Sequence, residues 1–269
     1  DNCTEELLRI SSQASEEMQV PLALHTSQAV FEFQEIVRRH GLTPVEWLES
    51  IDFLSDRCIL GHVMYPAGHS WVNFAGDDLA ILAKHKASVA HAAWVFARRG
   101  VAMESFPTYL GAGVNVCLAT DTSPQSMIEA MRWSTVVGKI MIRQTELSTA
   151  ADAFNAATLN AAKMLHRDDL GRISTGAMAD LLFWDASSMF MVPLRDPIKN
   201  IVFNATSQDL RDVMVDGAWV MREGQVLNVD ERAVSEALQQ AGERVWSSVN
   251  PEVAESADEL SPQTFPDFE

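Results

Sequence analysis

The chain has 269 residues, 47% hydrophobic and 21% charged, an ordinary globular composition that suits one large domain or two modest ones. Its net charge of -17, from 37 acidic and 20 basic residues, repels phosphate backbones and anionic lipid surfaces, so neither nucleic acid nor membrane is an expected partner. No window approaches about 18 consecutive apolar residues, which excludes a membrane-spanning helix. No charged segment followed by an apolar one marks a retained signal peptide. The first residue is Asp1 rather than Met, so a processed or partial chain is expected. Cys3, Cys58 and Cys117 are too few and too scattered for a disulfide framework. They fit a reducing compartment, and a cytoplasmic protein is expected.

Residues 5–17 carry a helical pattern through Leu7, Leu8 and Ile10. The apolar run Val20-Pro21-Leu22-Ala23-Leu24 then stops at His25. Residues 27–40 predict a helix with Val30, Phe33, Ile36 and Val37 on one face and Gly41 past its end. Thr43-Pro44 starts another helix, through Trp47 and Leu48. The apolar run Cys58-Ile59-Leu60-Gly61 stops at His62. Residues 77–86 predict a helix opened by Asp77-Asp78, where negative charge meets the positive dipole end. A weaker strand, Ala87-Ser88-Val89-Ala90, stops at His91. A helix near 105–112 ends at Gly113, and the buried-type strand Val114 to Thr120 stops at Asp121. Helices at 126–145 and 148–165 follow.

Strands alternating with helices argue for parallel strands joined by helical crossovers. The carboxyl ends of such strands are where α/β sheets and barrels build active sites. One histidine after one strand is more often structural than catalytic. Four successive strands ending in His25, His62, His91 and Asp121 point to a shared site.

After Leu165 the chain changes character. Leu170 to Asp185 is glycine-punctuated and then β-like, and Ile201-Val202-Phe203 reads as a strand. Val213 to Val220 reads as a hairpin around Asp216-Gly217. Residues 231–248 predict an amphipathic helix, and the acidic, proline-containing tail from Pro251 favours disorder.

The segments Leu22-Ala23-Leu24-His25, Ile59-Leu60-Gly61-His62, Ser88-Val89-Ala90-His91 and Ala119-Thr120-Asp121-Thr122, followed by Gly171 to Asp185, carry a family likeness. In order and spacing, over roughly residues 1–225, they resemble the carboxyl-terminal part of a metal-dependent amidohydrolase of the cytosine-deaminase and triazine-hydrolase (chlorohydrolase) branch. His25-Thr26-Ser27-Gln28, His69-Ser70-Trp71 and Phe96-Ala97-Arg98-Arg99-Gly100 resemble a group within it that includes hydrolases of phenylurea- and thiocarbamate-type compounds. The resemblance implies an α/β fold: a partial TIM-like (β/α) barrel, about strands five to eight, plus the carboxyl-terminal part of a small β-sandwich. Residues 1–166 would be the second half of a (β/α)8 barrel, 167–229 the composite sandwich portion, and 230–269 a helix and acidic tail.

The same resemblance implies the site. His25 would close strand five as a metal ligand. His62 would close strand six as a second ligand or a hydrogen-bonding catalytic residue. Asp121, after strand eight, would bind the metal and take the proton from its water. Gln28, His91 and Trp94 would face the substrate, with packing as the alternative for His91 and for Trp94. Imidazoles and a carboxylate suit a divalent ion, zinc first, with iron, cobalt or manganese as alternatives. The implied activity is hydrolysis of a non-peptide C–N bond in a small amide, urea, carbamate or amine.

Two features depart from that pattern. The family's first-strand H-x-H pair is absent, since no two of the seven histidines are two residues apart. A full barrel takes about 250 residues, so the chain resembles the second half of a longer protein. Gln28 stands where related deaminases place a glutamate proton shuttle, and an amide cannot shuttle a proton near neutral pH. Three readings follow: a partial chain of a metal-dependent hydrolase; a non-catalytic binding protein; or one half of a two-chain enzyme. A small-molecule substrate is expected, together with a homo-oligomer or a missing amino-terminal half.

Overall fold

The computed structural model describes residues 3–103 and 106–249; the tail expected to be disordered from Pro251 lies outside them. Four short strands, β1 (Leu22–Thr26), β2 (Cys58–His62), β3 (Ser88–His91) and β4 (Asn115–Leu118), form a parallel sheet in the order β1-β2-β3-β4. Leu24 pairs with Leu60, Leu60 with Val89, and Val89 with Val116. This apolar row belongs to one face because strand side chains alternate. Leu60, Val89 and Val116 are fully buried members of the main hydrophobic core. The neighbouring row is His25, Gly61, Ala90 and Cys117.

The crossovers are helical. After α1 (Glu5–Met18), β1 leads through α2 (Val30–His40) and α3 (Pro44–Ser50) to β2. Gly41 ends α2 in the left-handed region at φ 70°, where glycine pays no Cβ penalty. Thr43 and Glu46 form a reciprocal capping box on α3. α4 (Asp78–His85) joins β2 to β3. Between β3 and β4 lie α5 (Ala93–Ala97) and α6 (Phe106–Gly111); the first was not expected, being too short to show a helical period.

The two helices expected directly after β4 are modified. α7 (Met127–Ile142) ends earlier than residue 145 because Arg143 turns left-handed at φ 57°. The helix expected over 148–165 is two, α8 (Ala150–Ala157) and α9 (Leu159–Met164), broken at Thr158. The returning chain crosses at the break: a Cβ on Gly171 would lie 2.7 Å from the Thr158 carbonyl oxygen. α9 also covers the outer edge of β4, where Asn160 Nδ2 donates to the Val116 carbonyl at 2.9 Å.

A second, antiparallel sheet contains β5 (Leu181–Trp184), β6 (Leu210–Val215), β7 (Ala218–Arg222) and β8 (Gln225–Val226), in that order. Its β6–β7 hairpin turns through Asp216 and Gly217, both at positive φ (48° and 76°), as a two-residue turn of this kind requires. The strand expected at Ile201-Val202-Phe203 is instead a π-helical turn, Asn200–Asn204, after the short α10 (Pro197–Lys199). Ile201 and Val202 of the run are buried, and Arg132 of α7 donates to the carbonyls of Val202 and Ala205. Such a run carries no period to separate strand from helix. The chain continues into α11 (Glu231–Ser248), none of whose residues is buried. No described helix is long and apolar enough to cross a membrane.

Candidate active site

At the carboxyl edge of the parallel sheet the backbone leaves the ordinary region at four non-glycine residues. Ser27 follows β1 at φ 53°, His62 ends β2 at 76°, Val63 follows at 41°, and Asp121 lies beyond β4 at 61°. Positive φ is uncommon for non-glycine residues and an outlier for a β-branched one. Such strain clusters at functional sites, where surrounding contacts enforce it.

His25 and His62 meet at this edge, with ring centroids 5.1 Å apart and planes inclined by 28°. Gly61 makes room for the pair: a Cβ there would stand 3.1 Å from His25 Cδ2. His25 is exposed and His62 buried. Phe96 of α5 meets the His62 ring edge-on at 4.8 Å. Burial pushes the His62 pKa down; the Asp121 charge opposes that shift and His25 adds to it. Asp121 therefore acts electrostatically on His62, although the regular part of its strand ends three residues earlier, at Leu118.

The three residues assigned to substrate occupy different surroundings. His91 is buried, and burial, with His62 adding, pushes its pKa down to about 3. Its ring lies along Phe106 at 6.4 Å, the packing alternative for this residue. Trp94 is half-buried against Trp133 of α7, ring centroids 5.1 Å apart. Gln28 lines a cavity of about 310 Å³ together with His25, Thr26, Glu32 and residues of α1 and α3, to which neither His91 nor Trp94 contributes.

Two tethers at this edge escaped sequence reasoning. Glu32, in the first turn of α2, accepts the backbone N–H of Ser27 on one oxygen and that of Gln28 on the other, both at 2.8 Å. Arg98 donates to the Ser123 carbonyl at 3.1 Å and to Thr122 Oγ1 at 3.0 Å. An acidic residue four positions after Gln28 was the only available signal for the first; no sequence spacing signals the second.

The donor types fit a divalent ion: two imidazoles, a carboxylate, and the buried His62 Nδ1, which has no hydrogen-bond partner. Among the described residues, however, no three His, Cys, Asp or Glu side chains are gathered to hold a metal. The expected ligand set of His25, His62 and Asp121 is brought to one edge without converging on a point.

Residues 2–220 match the family model described as the amidohydrolase family. The chain is 28% identical over 250 residues to a 5'-deoxyadenosine deaminase of Methanopyrus kandleri, covering 91% of this chain and 56% of that protein. It is 31% identical over 244 residues to a 5-methylthioadenosine/S-adenosylhomocysteine deaminase of Halobacterium salinarum, covering 89% and 54%. Among solved structures, a zinc-bound adenosine deaminase from Xanthomonas campestris superposes with a TM-score of 0.81 at 22% identity, over 91% of this chain and 55% of that one. A zinc complex of atrazine chlorohydrolase from Arthrobacter aurescens gives 0.77 at 22% identity, over 88% and 52%. The chain spans about half the length of these relatives. The α/β fold, with its parallel sheet and separate antiparallel sheet, is that of these zinc-containing neighbours, and the family match covers most of the sequence: the chain belongs to the amidohydrolase family.

Proposed function

We propose that this chain is the second half of a metal-dependent hydrolase that cleaves a non-peptide C–N bond in a small cyclic or aromatic substrate. The observation that carries the reading is the single sheet edge that collects His25, His62 and Asp121 under local backbone strain. Residues 1–166 would supply strands five to eight of a (β/α)8 barrel, 167–229 part of a composite sandwich, and 230–269 a terminal helix and tail. Relatives named as adenosine-type deaminases support C–N hydrolysis, and zinc in the solved neighbours supports a divalent metal.

His25, His62 and Asp121 would hold the ion together with donors from an amino-terminal half, in the same or a companion polypeptide. When bound, such an ion lowers the pKa of a water so that hydroxide is available near neutrality. The Asp121 carboxylate accepts the proton of the attacking water. Where His62 is not itself a ligand, its buried imidazole would instead hydrogen-bond the substrate atom on which charge develops. Gln28 at the mouth of the adjoining cavity donates and accepts hydrogen bonds but holds no proton for a leaving group. That favours amide, urea, carbamate or halide-type substrates over ring amines.

A second reading, a non-catalytic amidohydrolase-like binding protein, is favoured by the missing three-donor cluster and by Gln28. Metal content and turnover of the full-length protein separate the two, with adenosine and an N-aryl urea as probes. A stoichiometric divalent metal and hydrolysis of either probe support the enzyme. No metal and no turnover support the binding protein.

A further inference from the structure

We infer that Arg98 is a positioning residue that holds Asp121 in its working conformation. The inference rests on the proposed role of Asp121. Arg98 is the residue that closes α5, in the segment after β3, and its guanidinium reaches the turn that follows β4. One nitrogen donates to the Ser123 carbonyl and another to the Thr122 hydroxyl, the two residues directly after Asp121. Asp121 itself sits at φ 61°, a region that non-glycine residues enter in a few per cent of cases, aspartate more readily than most. Within the turn, Thr122 N–H closes back on the Thr120 carbonyl at 2.7 Å, a local bond that does not fix the turn relative to the rest of the sheet edge. The Arg98 bonds do, because they start from a different strand–helix unit.

A guanidinium suits this task. Its donors diverge in a rigid plane, so one side chain grips a carbonyl and a hydroxyl on successive residues, whereas a lysine ammonium is a single flexible point charge. Arg98 also brings positive charge beside the Asp121 turn without touching the carboxylate. Its neighbour Arg99 is equally exposed and serves as the control for loss of a surface charge.

The test uses the full-length protein and zinc alone as probe, with affinity measured by competition against a chromophoric chelator. Partners that orient a metal-binding side chain typically contribute about 10–100-fold in metal affinity. Arg98→Ala is expected to weaken zinc binding by about tenfold on that scale, Arg98→Lys by less, and Arg99→Ala not at all. In an Asp121→Asn background, Arg98→Ala is expected to have no further effect, because the group it positions is already lost. Hydrogen exchange in residues 119–126 is expected to quicken in Arg98→Ala alone. Unchanged zinc affinity in Arg98→Ala, or an equal loss in both backgrounds, overturns the inference while leaving Asp121 in its role. Unchanged zinc affinity in Asp121→Asn overturns the role of Asp121 and the inference with it.

Discussion

In the parallel sheet Leu60, Val89 and Val116 are 0% exposed, whereas Phe183, Val215 and Val220 of the antiparallel sheet are 39%, 47% and 38% exposed. The first sheet is sealed on one face by its own crossover helices. The second leaves apolar side chains of both its faces exposed, and α11 beside it in sequence keeps Leu238 and Trp246 at 71% and 72% exposure. The chemistry is divided the same way. The histidine pair, the strained strand ends and the cavity beside Gln28 all lie at the parallel sheet. The parallel part thus buries its apolar residues and carries the candidate site, whereas the antiparallel part leaves apolar surface exposed.

The sharpest way to break this comparison is to change one carboxylate in each region. Asp121→Asn is expected to lower kcat of the full-length protein by about 10²–10⁴-fold, the usual contribution of a positioned base. Asp212→Asn, which removes the carboxylate charge facing Arg222 in the antiparallel sheet, is expected to leave kcat unchanged. Steady-state kinetics on the better of the two probe substrates decides it, and equal effects would place the chemistry elsewhere.

Stability sharpens it next. Leu60→Ala empties a site in the sealed core and is expected to destabilise by about 2–5 kcal/mol. Leu238→Ala, on an exposed helix face, is expected to stay within about 0.5 kcal/mol. Urea denaturation of both variants gives the difference directly. A large loss at Leu238 would mean that α11 is packed against something in solution.

Gln28→Glu probes the functional edge alone. It is expected to raise kcat/KM for a ring amine by more than for an aryl urea, up to about 10²-fold if the new carboxyl group serves as the acid. Efficient deamination by the natural Gln28 protein, with no gain from glutamate, would show that the proton travels by another route.

The smallest effect concerns Asp78, buried at the start of α4, which accepts from Thr43 Oγ1 at 2.6 Å and from Ala67 N–H at 2.8 Å. Burial raises its pKa from the ordinary value of 3.8, against the lowering effect of these hydrogen bonds. The folded state therefore keeps this proton after the unfolded chain has released it. Stability is full below the unfolded value and falls as pH rises through the folded one. An asparagine can keep both bonds, accepting from Ala67 and donating to Thr43. Asp78→Asn is thus expected to lose less stability than the parent between pH 4 and pH 7; denaturation at the two pH values measures it, and parallel losses would refute it.

The strand ends at His25 and His62 were readable because apolar runs stopped abruptly at polar residues, and the hairpin at Asp216-Gly217 because its turn demands those residue types. The resemblance supplied the amidohydrolase family and the identities of the site residues. What stayed hidden has physical causes. The break at Thr158 depends on the approach of Gly171 from outside the helix. The π-helical turn at 200–204 depends on Arg132 reaching its carbonyls. Glu32 and Arg98 bond to backbone groups in loops, and such bonds impose no period on the sequence. The burial of His91 and the packing of Trp94 on Trp133 depend on α5, whose five residues are too few to announce a helix.

The central claim is that the carboxyl edge of the parallel sheet is half of a metal centre. Anomalous scattering at the zinc edge from crystals of the full-length protein tests it most directly. The account predicts one strong peak about 2.0–2.2 Å from a His25 ring nitrogen and an Asp121 carboxylate oxygen, with the remaining ligands drawn from His62 and from residues outside this chain. A peak bound elsewhere, or none in zinc-saturated crystals, would contradict it.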